Sequence, residues 1–319
     1  MTTVVKTSVI ICTYAEDRWD DLVRAVRSVQ SQSVCPDEVV VVADHNPNLF
    51  ERVRARFPSV VAVENRGPRG LSGARNCGVA AARGDILAFI DDDAAATNDW
   101  LEQLGAGYSD PRVVGVGGAI EPLWESGRPS WFPSEFDWVV GCTYRGMPQS
   151  IAPVRNLIGA NMSFRREVFA EVGEFRSGMG RLGSIPAGCE ETELCIRTLQ
   201  RWPHRIMLYN PAARVNHRVP ARRAHTSYFR ARCYAEGLSK AQVAHWVGVG
   251  DGLASERTFA LRTLPQGAWQ GIQDAVLHHD WMGLGRAAAI IAGLTMTTTG
   301  YGVGTLMGRL QSVALPGEK

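Results

Sequence analysis

Three consecutive carboxylates, Asp91, Asp92 and Asp93, close the apolar run Ile86-Leu87-Ala88-Phe89-Ile90. Unpaired buried carboxylates are costly, so such a cluster belongs at a strand tip that faces solvent or a metal. Hard divalent cations take oxygen ligands of this kind. A cation held there neutralises a diphosphate, so the chemistry indicated is nucleotide-activated group transfer. A second acidic group, Glu190-Glu191 followed by Glu193, opens an expected helix that runs to Gln200.

The elements that must carry these residues alternate along the first hundred positions. Ser8-Val9-Ile10-Ile11-Cys12 reads as a buried strand ending at Thr13-Tyr14, and Glu38 to Ala43 as a second that stops at Asp44. Val60 to Glu64 is a third, and the run before the aspartates a fourth. Between them, Asp20 to Gln32 places Leu22, Val23, Val26 and Val29 on one helical face, and Ser72 to Ala82 reads as a helix broken by Gly84. Strand–helix alternation predicts a mostly parallel sheet with right-handed crossovers, an α/β fold. Ligands of such sheets bind outside the carboxyl ends of the strands, where Tyr14, Asp44 and Asp93 all fall. Beyond Trp100 the pattern changes. Val113 to Ile120 reads as a strand and Glu121 to Arg155, rich in Trp, Pro and Gly, as long loops. Arg166 to Val172 reads as a helix, and weakly amphipathic helices follow from about Ser239.

In order and spacing, Val9-Ile10-Ile11-Cys12-Thr13-Tyr14, Asp44, Ala74-Arg75-Asn76-Cys77-Gly78, Gly84-Asp85 and Phe89-Ile90-Asp91-Asp92-Asp93 resemble the motifs of family 2 glycosyltransferases. Gly159-Ala160-Asn161-Met162 and Gly188-Cys189-Glu190-Glu191-Thr192-Glu193-Leu194 continue the series, over roughly residues 8 to 235. The ordered set is specific where each motif alone is weak. The resemblance implies a GT-A fold, a nucleotide-diphosphate sugar donor, Mn²⁺ or Mg²⁺, and inversion at the anomeric carbon. It implies a glycosyltransferase domain over 1–238, with a nucleotide-sugar half to about 100 and an acceptor half from 101, then a helical C-terminal extension over 239–319.

Residue by residue, the resemblance makes Asp93 a metal ligand, with Asp91 supporting it and His217, in Val215-Asn216-His217-Arg218-Val219, a further ligand. Asp92 would face the ribose. Asp44 would accept the uracil N3–H, Tyr14 would stack on the base, and Cys12 would line the same strand end. The alternative for Asp44 is a turn residue in Asp44-His45-Asn46-Pro47, where relatives often carry Asp-x-Gly-Ser. Arg75 would reach the diphosphate or pair with the aspartates. Glu191 would be the general base that takes the acceptor hydroxyl proton. Most relatives have Glu-Asp there, so this side chain is one methylene longer, and an acidic first turn also complements the helix dipole. Asn161, Glu190 and Trp131 would face the acceptor, with packing as the alternative for the tryptophans Trp124, Trp131 and Trp138.

Arg214, Arg218, Arg222, Arg223, His225, Arg230 and Arg232 concentrate positive charge in a chain whose formal net charge is only +2. The near balance does not argue for nucleic acid. The local cluster suits a diphosphate, a lipid-phosphate acceptor or anionic headgroups. Ala287 to Gly308 carries no charge, yet Gly, Thr and Ala dominate it, which favours an element lying on a membrane or packed on other helices over one spanning it. The expected partners are a UDP-sugar and a glycan or polyprenyl-phosphate-linked acceptor, with peripheral membrane contact through 214–232 and 284–310. Seven scattered cysteines without Cys-x-x-Cys pairs, and a start that runs straight into a strand without a signal peptide, point to reduced thiols in the cytoplasm, at the inner face of the cell membrane. Two rival readings remain. A nucleotidyltransferase would carry a Gly-rich basic loop where Thr13-Tyr14-Ala15-Glu16-Asp17 stands, and a catalytically silent nucleotide-sugar-binding scaffold would suit the altered base position.

Overall fold

A computed structural model describes residues 5–179 and 188–314. The chain forms two compact units. The first comprises Met1–Leu123, Pro148–Gly183 and Glu190–Arg218, the second Trp124–Met147, Ser184–Cys189 and Val219–Lys319.

The first unit starts as the alternation predicts: β1 (Thr7–Thr13), α1 (Trp19–Gln30), β2 (Glu38–Asp44), α2 (Pro47–Arg56), β3 (Val61–Asn65), α3 (Leu71–Ala81) and β4 (Ile86–Asp91). Short β5 (Ala94–Ala96) and α4 (Trp100–Ala106) follow. Then come β6 (Val113–Trp124), β7 (Ala152–Val154), β8 (Asn161–Arg165), α5 (Arg166–Glu171), α6 (Glu190–Arg201) and β9 (Ile206–Val219). The sheet order is β3-β2-β1-β4-β8-β6-β9-β5, with β7 on β9. The first four strands are parallel. From β4 outward the pairings to β8 and β6 are antiparallel. The mixed half was not legible because β6, β8 and β9 are paired across long, irregular connections. The Trp-rich stretch expected as loops is more ordered than composition suggests: β6 runs on to Trp124 and Ser134–Val140 is helical.

Parallel strands buried on both faces read as continuous apolar runs, and Val9, Ile10, Ile11, Val40, Val41, Leu87 and Ala88 are all at most 1% exposed. On one side Phe89 meets the edges of Phe164 and Phe175 at centroid distances of 6.3 and 5.6 Å. That packing fixes β4 against β8 and so fixes where the aspartates emerge. Register completes the job. Cys12 stands opposite Asp91, and Asp44 opposite Asn65, all at the carboxyl edge. Ala94 pairs with His217, so β9 delivers the histidine next to Asp93.

In the second unit, α7 (Thr226–Val247), α8 (Val249–Gly252), α9 (Ala254–Thr258), α10 (Leu264–Leu277) and α11 (Met282–Ala314) follow one another. α7 passes residue 238 without a break. Trp131, Phe132, Phe136 and Phe229 form an aromatic cluster whose touching rings have centroids 5.2 to 5.6 Å apart. All seven cysteines are free, four of them buried. Among the described residues no helix is long and apolar enough to cross a membrane.

Candidate active site

The site forms in the first unit, where the tips of β1, β2 and β4 meet α3, α6 and β9. Asp91, Asp93 and His217 each offer one ligand atom, and these atoms all lie within 4.8 Å of one another. His217 Nε2 lies 3.1 Å from Asp93 Oδ1. Both residues are buried, while Asp91 is a third exposed at its side chain. Two carboxylates and an imidazole make a mixed oxygen–nitrogen donor set that fits Mn²⁺ and accommodates Mg²⁺ less fully. The three residues expected as metal ligands thus converge.

Asp92 turns away from them. Thr13 Oγ1 donates to Asp92 Oδ2 at 2.8 Å and Arg18 Nη1 to Oδ1 at 2.8 Å. Burial pushes the Asp92 carboxyl up to about 6, against the pull of Arg18. Both oxygens are engaged inside the protein, so the ribose contact expected of Asp92 would have to share them. The same Arg18 nitrogen lies 3.2 Å from Asp93 Oδ2. Arg18 was not anticipated. Its signal was the charge balance: three adjacent aspartates need a counter-ion, and Arg18 stands at the entry to α1, directly after the strand beside theirs.

Asp44 is likewise committed. Asn65 Nδ2 donates to Oδ1 at 2.7 Å and the Gly70 N–H to Oδ2 at 2.9 Å. It ties the loop before α3 to the tips of β2 and β3, and only its remaining lone pairs are open to a base. Asn65, which also caps Gly67 through its side-chain oxygen at 3.0 Å, is a second residue the sequence did not flag. Tyr14 is 41% exposed at the end of β1, with the Arg18 guanidinium 5.5 Å from its ring centroid. Part of the ring is thus open to solvent, while the guanidinium already lies over it on one side. Cys12 lies beside Asp91, and burial pushes its thiol up, so it stays protonated.

Arg75 is almost wholly buried and cross-links the acidic groups. Its Nη1 donates to Glu190 Oε1 at 2.7 Å. Nη2 contacts Asp91 Oδ1 at 3.4 Å and the Gly159 carbonyl at 3.1 Å. Although burial opposes its charge, Glu190 and Asp91 hold the guanidinium protonated, with Glu191 adding to the same field. Of the two roles expected for Arg75, the ion pair is what the geometry displays. A Cβ at position 159 would come within 2.7 Å of the guanidinium, which explains the glycine before Asn161.

Glu190, Glu191 and Glu193 share the first turn of α6 but have separate surroundings. Glu193 is fully buried beneath Arg176 (2.6 Å) and Arg197 (2.9 Å), which makes it a structural anchor. Glu190 is buried, and its Oε2 has no hydrogen-bond partner among the described residues. Glu191 is half-buried and accepts from Thr192 Oγ1 at 3.3 Å. Asn161, expected to face an acceptor, is instead bracketed inside the sheet. Its amide donates to the Ala119 and Ala213 carbonyls at 2.9 and 2.8 Å and accepts from Trp100 Nε1 at 2.8 Å. It is wholly buried, with its amide fully used by the frame. Trp131 belongs to the second unit and packs edge-on against Phe229 at 5.6 Å, as the packing alternative supposed.

The family model for glycosyl transferase family 2 matches residues 8–173. Over 239 residues the chain is 39% identical to the glucosyl-dolichyl phosphate glucuronosyltransferase of Haloferax volcanii, covering 74% of this chain and 76% of that one. Among solved structures it resembles the mannosyltransferase PcManGT from Pyrobaculum calidifontis in complex with GDP-Man and Mn²⁺. The TM-score is 0.58 at 17% identity, over 93% of this chain and 88% of that one. It also resembles GalNAc-T7 with UDP, GalNAc and Mn²⁺, with TM-score 0.52 at 18% identity, over 81% of this chain and 54% of that one, about half its length. These two likenesses bear on the fold alone. The chain belongs to glycosyltransferase family 2 and has the GT-A fold.

Proposed function

We propose that the protein transfers a sugar from a UDP-sugar, with inversion, to a hydroxyl of a lipid-phosphate-linked or glycan acceptor in the synthesis of a cell-surface glycan. The observation that carries this reading is the convergence of Asp91, Asp93 and His217 at the carboxyl end of β4. These residues would hold Mn²⁺ or Mg²⁺, which when bound offsets the charge that develops on the departing nucleoside diphosphate. The two proteins that share this fold were solved with Mn²⁺ and with UDP or GDP-Man, and the relative named for a dolichyl phosphate substrate supports a lipid-linked acceptor.

The chain's own residues divide the remaining work. Tyr14 presents its ring to the base, and the Asp44–Asn65–Gly70 network sets the edge of that pocket. Glu190 Oε2, buried and without a hydrogen-bond partner among the described residues, accepts a sugar hydroxyl and so orients the donor. Glu191, which lies near enough to Arg75 to act on its charge, takes the proton of the acceptor hydroxyl as that oxygen attacks the anomeric carbon opposite the diphosphate. The protein would work at the cytoplasmic face of the membrane, where its acceptor resides.

Transfer and binding separate in one variant. In Glu191→Gln, UDP and Mn²⁺ affinities measured by calorimetry are expected to persist while transfer falls about 10²- to 10⁴-fold, the usual weight of a general base. Undiminished transfer in that variant would overturn the assignment of the base. Release of pyrophosphate in place of UDP would favour a nucleotidyltransferase, and UDP binding with no turnover would favour a scaffold.

A further inference from the structure

We propose that the hairpin of α10 and α11 is a peripheral docking surface for an anionic lipid bilayer. This deepens the lipid-linked acceptor reading and rests on it for its purpose. Trp269, Val276, Leu277, Trp281, Leu284 and Ile291 are each 46–66% exposed along these two helices and the turn between them. The way the helices meet leaves them outside. At the crossing, Gly271 and Gly283 bring the two backbones together: a Cβ on either would come within 2.5 Å of the other's carbonyl oxygen. With only small side chains such as the buried Ala275 and Ala287 at the crossing, Trp269, Val276, Leu277 and Ile291 stay exposed.

Three features select lipid as the occupant. Between Leu264 and Gly308 the charged residues are only Asp274, Asp280 and Arg286, and the two carboxylates share the one guanidinium in a local ion-pair cluster. Arg286 Nη2 lies 2.8 Å from both carboxylates. The exposed threonines of α11 are likewise satisfied at home: Thr295, Thr298 and Thr299 donate to the carbonyls of Ile291, Leu294 and Thr295, each at 2.8 Å. Hydroxyls returned to their own helix suit an apolar medium. Exposed Arg257 and Arg262 precede the hairpin and exposed Arg309 stands in the last part of α11, so its sequence ends carry the charge that anionic headgroups attract. Tryptophans with an apolar body and a polar N–H favour the level of the headgroups. As no described helix is long and apolar enough to span, the hairpin lies on the bilayer.

The basic segment 214–232 contributes less than its sequence suggested. Arg218 is held by Asp21 at 2.6 Å, Arg232 by Glu236 at 2.7 Å, and Arg223 is buried. The apolar hairpin, including residues 264–283 outside the segments first expected to touch lipid, therefore carries the docking.

Co-sedimentation of the full chain with vesicles tests this. Vesicles of phosphatidylcholine with roughly a third phosphatidylglycerol should pellet the protein, and pure phosphatidylcholine vesicles should do so less well. The double substitution Trp269→Ser, Trp281→Ser should lower partitioning about tenfold or more, through the apolar area lost. Lipid-free UDP and Mn²⁺ binding should be unchanged. Should that variant not fold, Val276→Asn with Ile291→Asn, both at exposed positions, asks the same question. Wild type left in the supernatant with both vesicle types overturns the proposal, as does partitioning that neither variant moves. A dimer in sedimentation equilibrium that the variants dissolve, without vesicle binding, assigns the face to a second copy and also overturns it. Absent UDP and Mn²⁺ binding with intact vesicle binding would sink the proposed reaction and leave the surface standing.

Discussion

Arg18 holds Asp92 at 2.8 Å and Asp93 at 3.2 Å through one nitrogen, so a guanidinium already occupies part of the field that a divalent cation would enter. Burial lowers its preference for charge, but Asp92 and Asp93 outweigh that and keep it protonated. A cation bound by Asp93 must therefore compete with Arg18. Substituting Arg18→Met should raise the Mn²⁺ affinity of the nucleotide-free protein roughly tenfold, equivalent to about 1.4 kcal/mol. Electron paramagnetic resonance titration of free Mn²⁺ measures it, and an unchanged or weakened affinity would contradict the competition. By contrast, Asp93→Ala should abolish Mn²⁺ binding in the same titration. At this scale the sequence pointed to Asp91, Asp93 and His217, which the structure brings together, because residue type and strand position announced them. It did not show Arg18, Asn65 or the commitment of Asp44. Those depend on which side chains face each other across neighbouring strand tips.

Elements decide which of the expected site residues are free to act. The apolar runs of β1, β2 and β4 are strong signals because those strands are buried on both faces, and their bounds and those of α1 and α3 fall within a residue or two of those read from the sequence, whereas α2, behind the turn-like Asp44-His45-Asn46-Pro47, was not anticipated. Asn161 sits in β8, whose pairing with β4 and β6 is not visible in local pattern, and so its bracketing role was missed. Asn161→Ala would leave Trp100 Nε1 and two carbonyls unsatisfied. Each buried loss costs about 1–3 kcal/mol, so urea denaturation should show at least about 3 kcal/mol of destabilisation. In α7, Glu236 is flanked by Arg232 at 2.7 Å and Lys240 at 3.2 Å. Burial opposes its charge, but these cations hold it down to about 2, below its ordinary 4.5. A carboxylate with a depressed folded-state pKa stabilises fully above its unfolded value, and that contribution is lost as pH falls from about 4.5 towards 2. The acid limb of thermal stability should therefore steepen in that window, and Glu236→Gln should flatten it. At neutral pH the same substitution leaves Arg232 without its buried partner and should cost about 3 kcal/mol or more.

Across the whole molecule, the division into two compact units was only partly legible. Composition shifts after Trp100 and again near Ser239, whereas the units divide at Leu123, Met147 and Arg218, because long-range packing recruits Trp124–Met147 to the helices. The cluster of Asp91, Asp93 and His217 lies wholly in the first unit. Saturation with UDP and Mn²⁺ at about a hundred times Kd should add about 2.7 kcal/mol to the folded state by mass action, seen as a higher Tm. A Tm unmoved by UDP and Mn²⁺ would argue against a nucleotide site. The internal counter-ion of the aspartates has one further consequence. In small zinc modules the ion is part of what makes the chain fold, and chelation unravels them. Here the neighbouring guanidinium relieves carboxylate repulsion whether or not an ion is present. Exhaustive dialysis against EDTA should therefore silence turnover yet leave the circular dichroism spectrum intact, and restoring manganese should revive the enzyme without any refolding step.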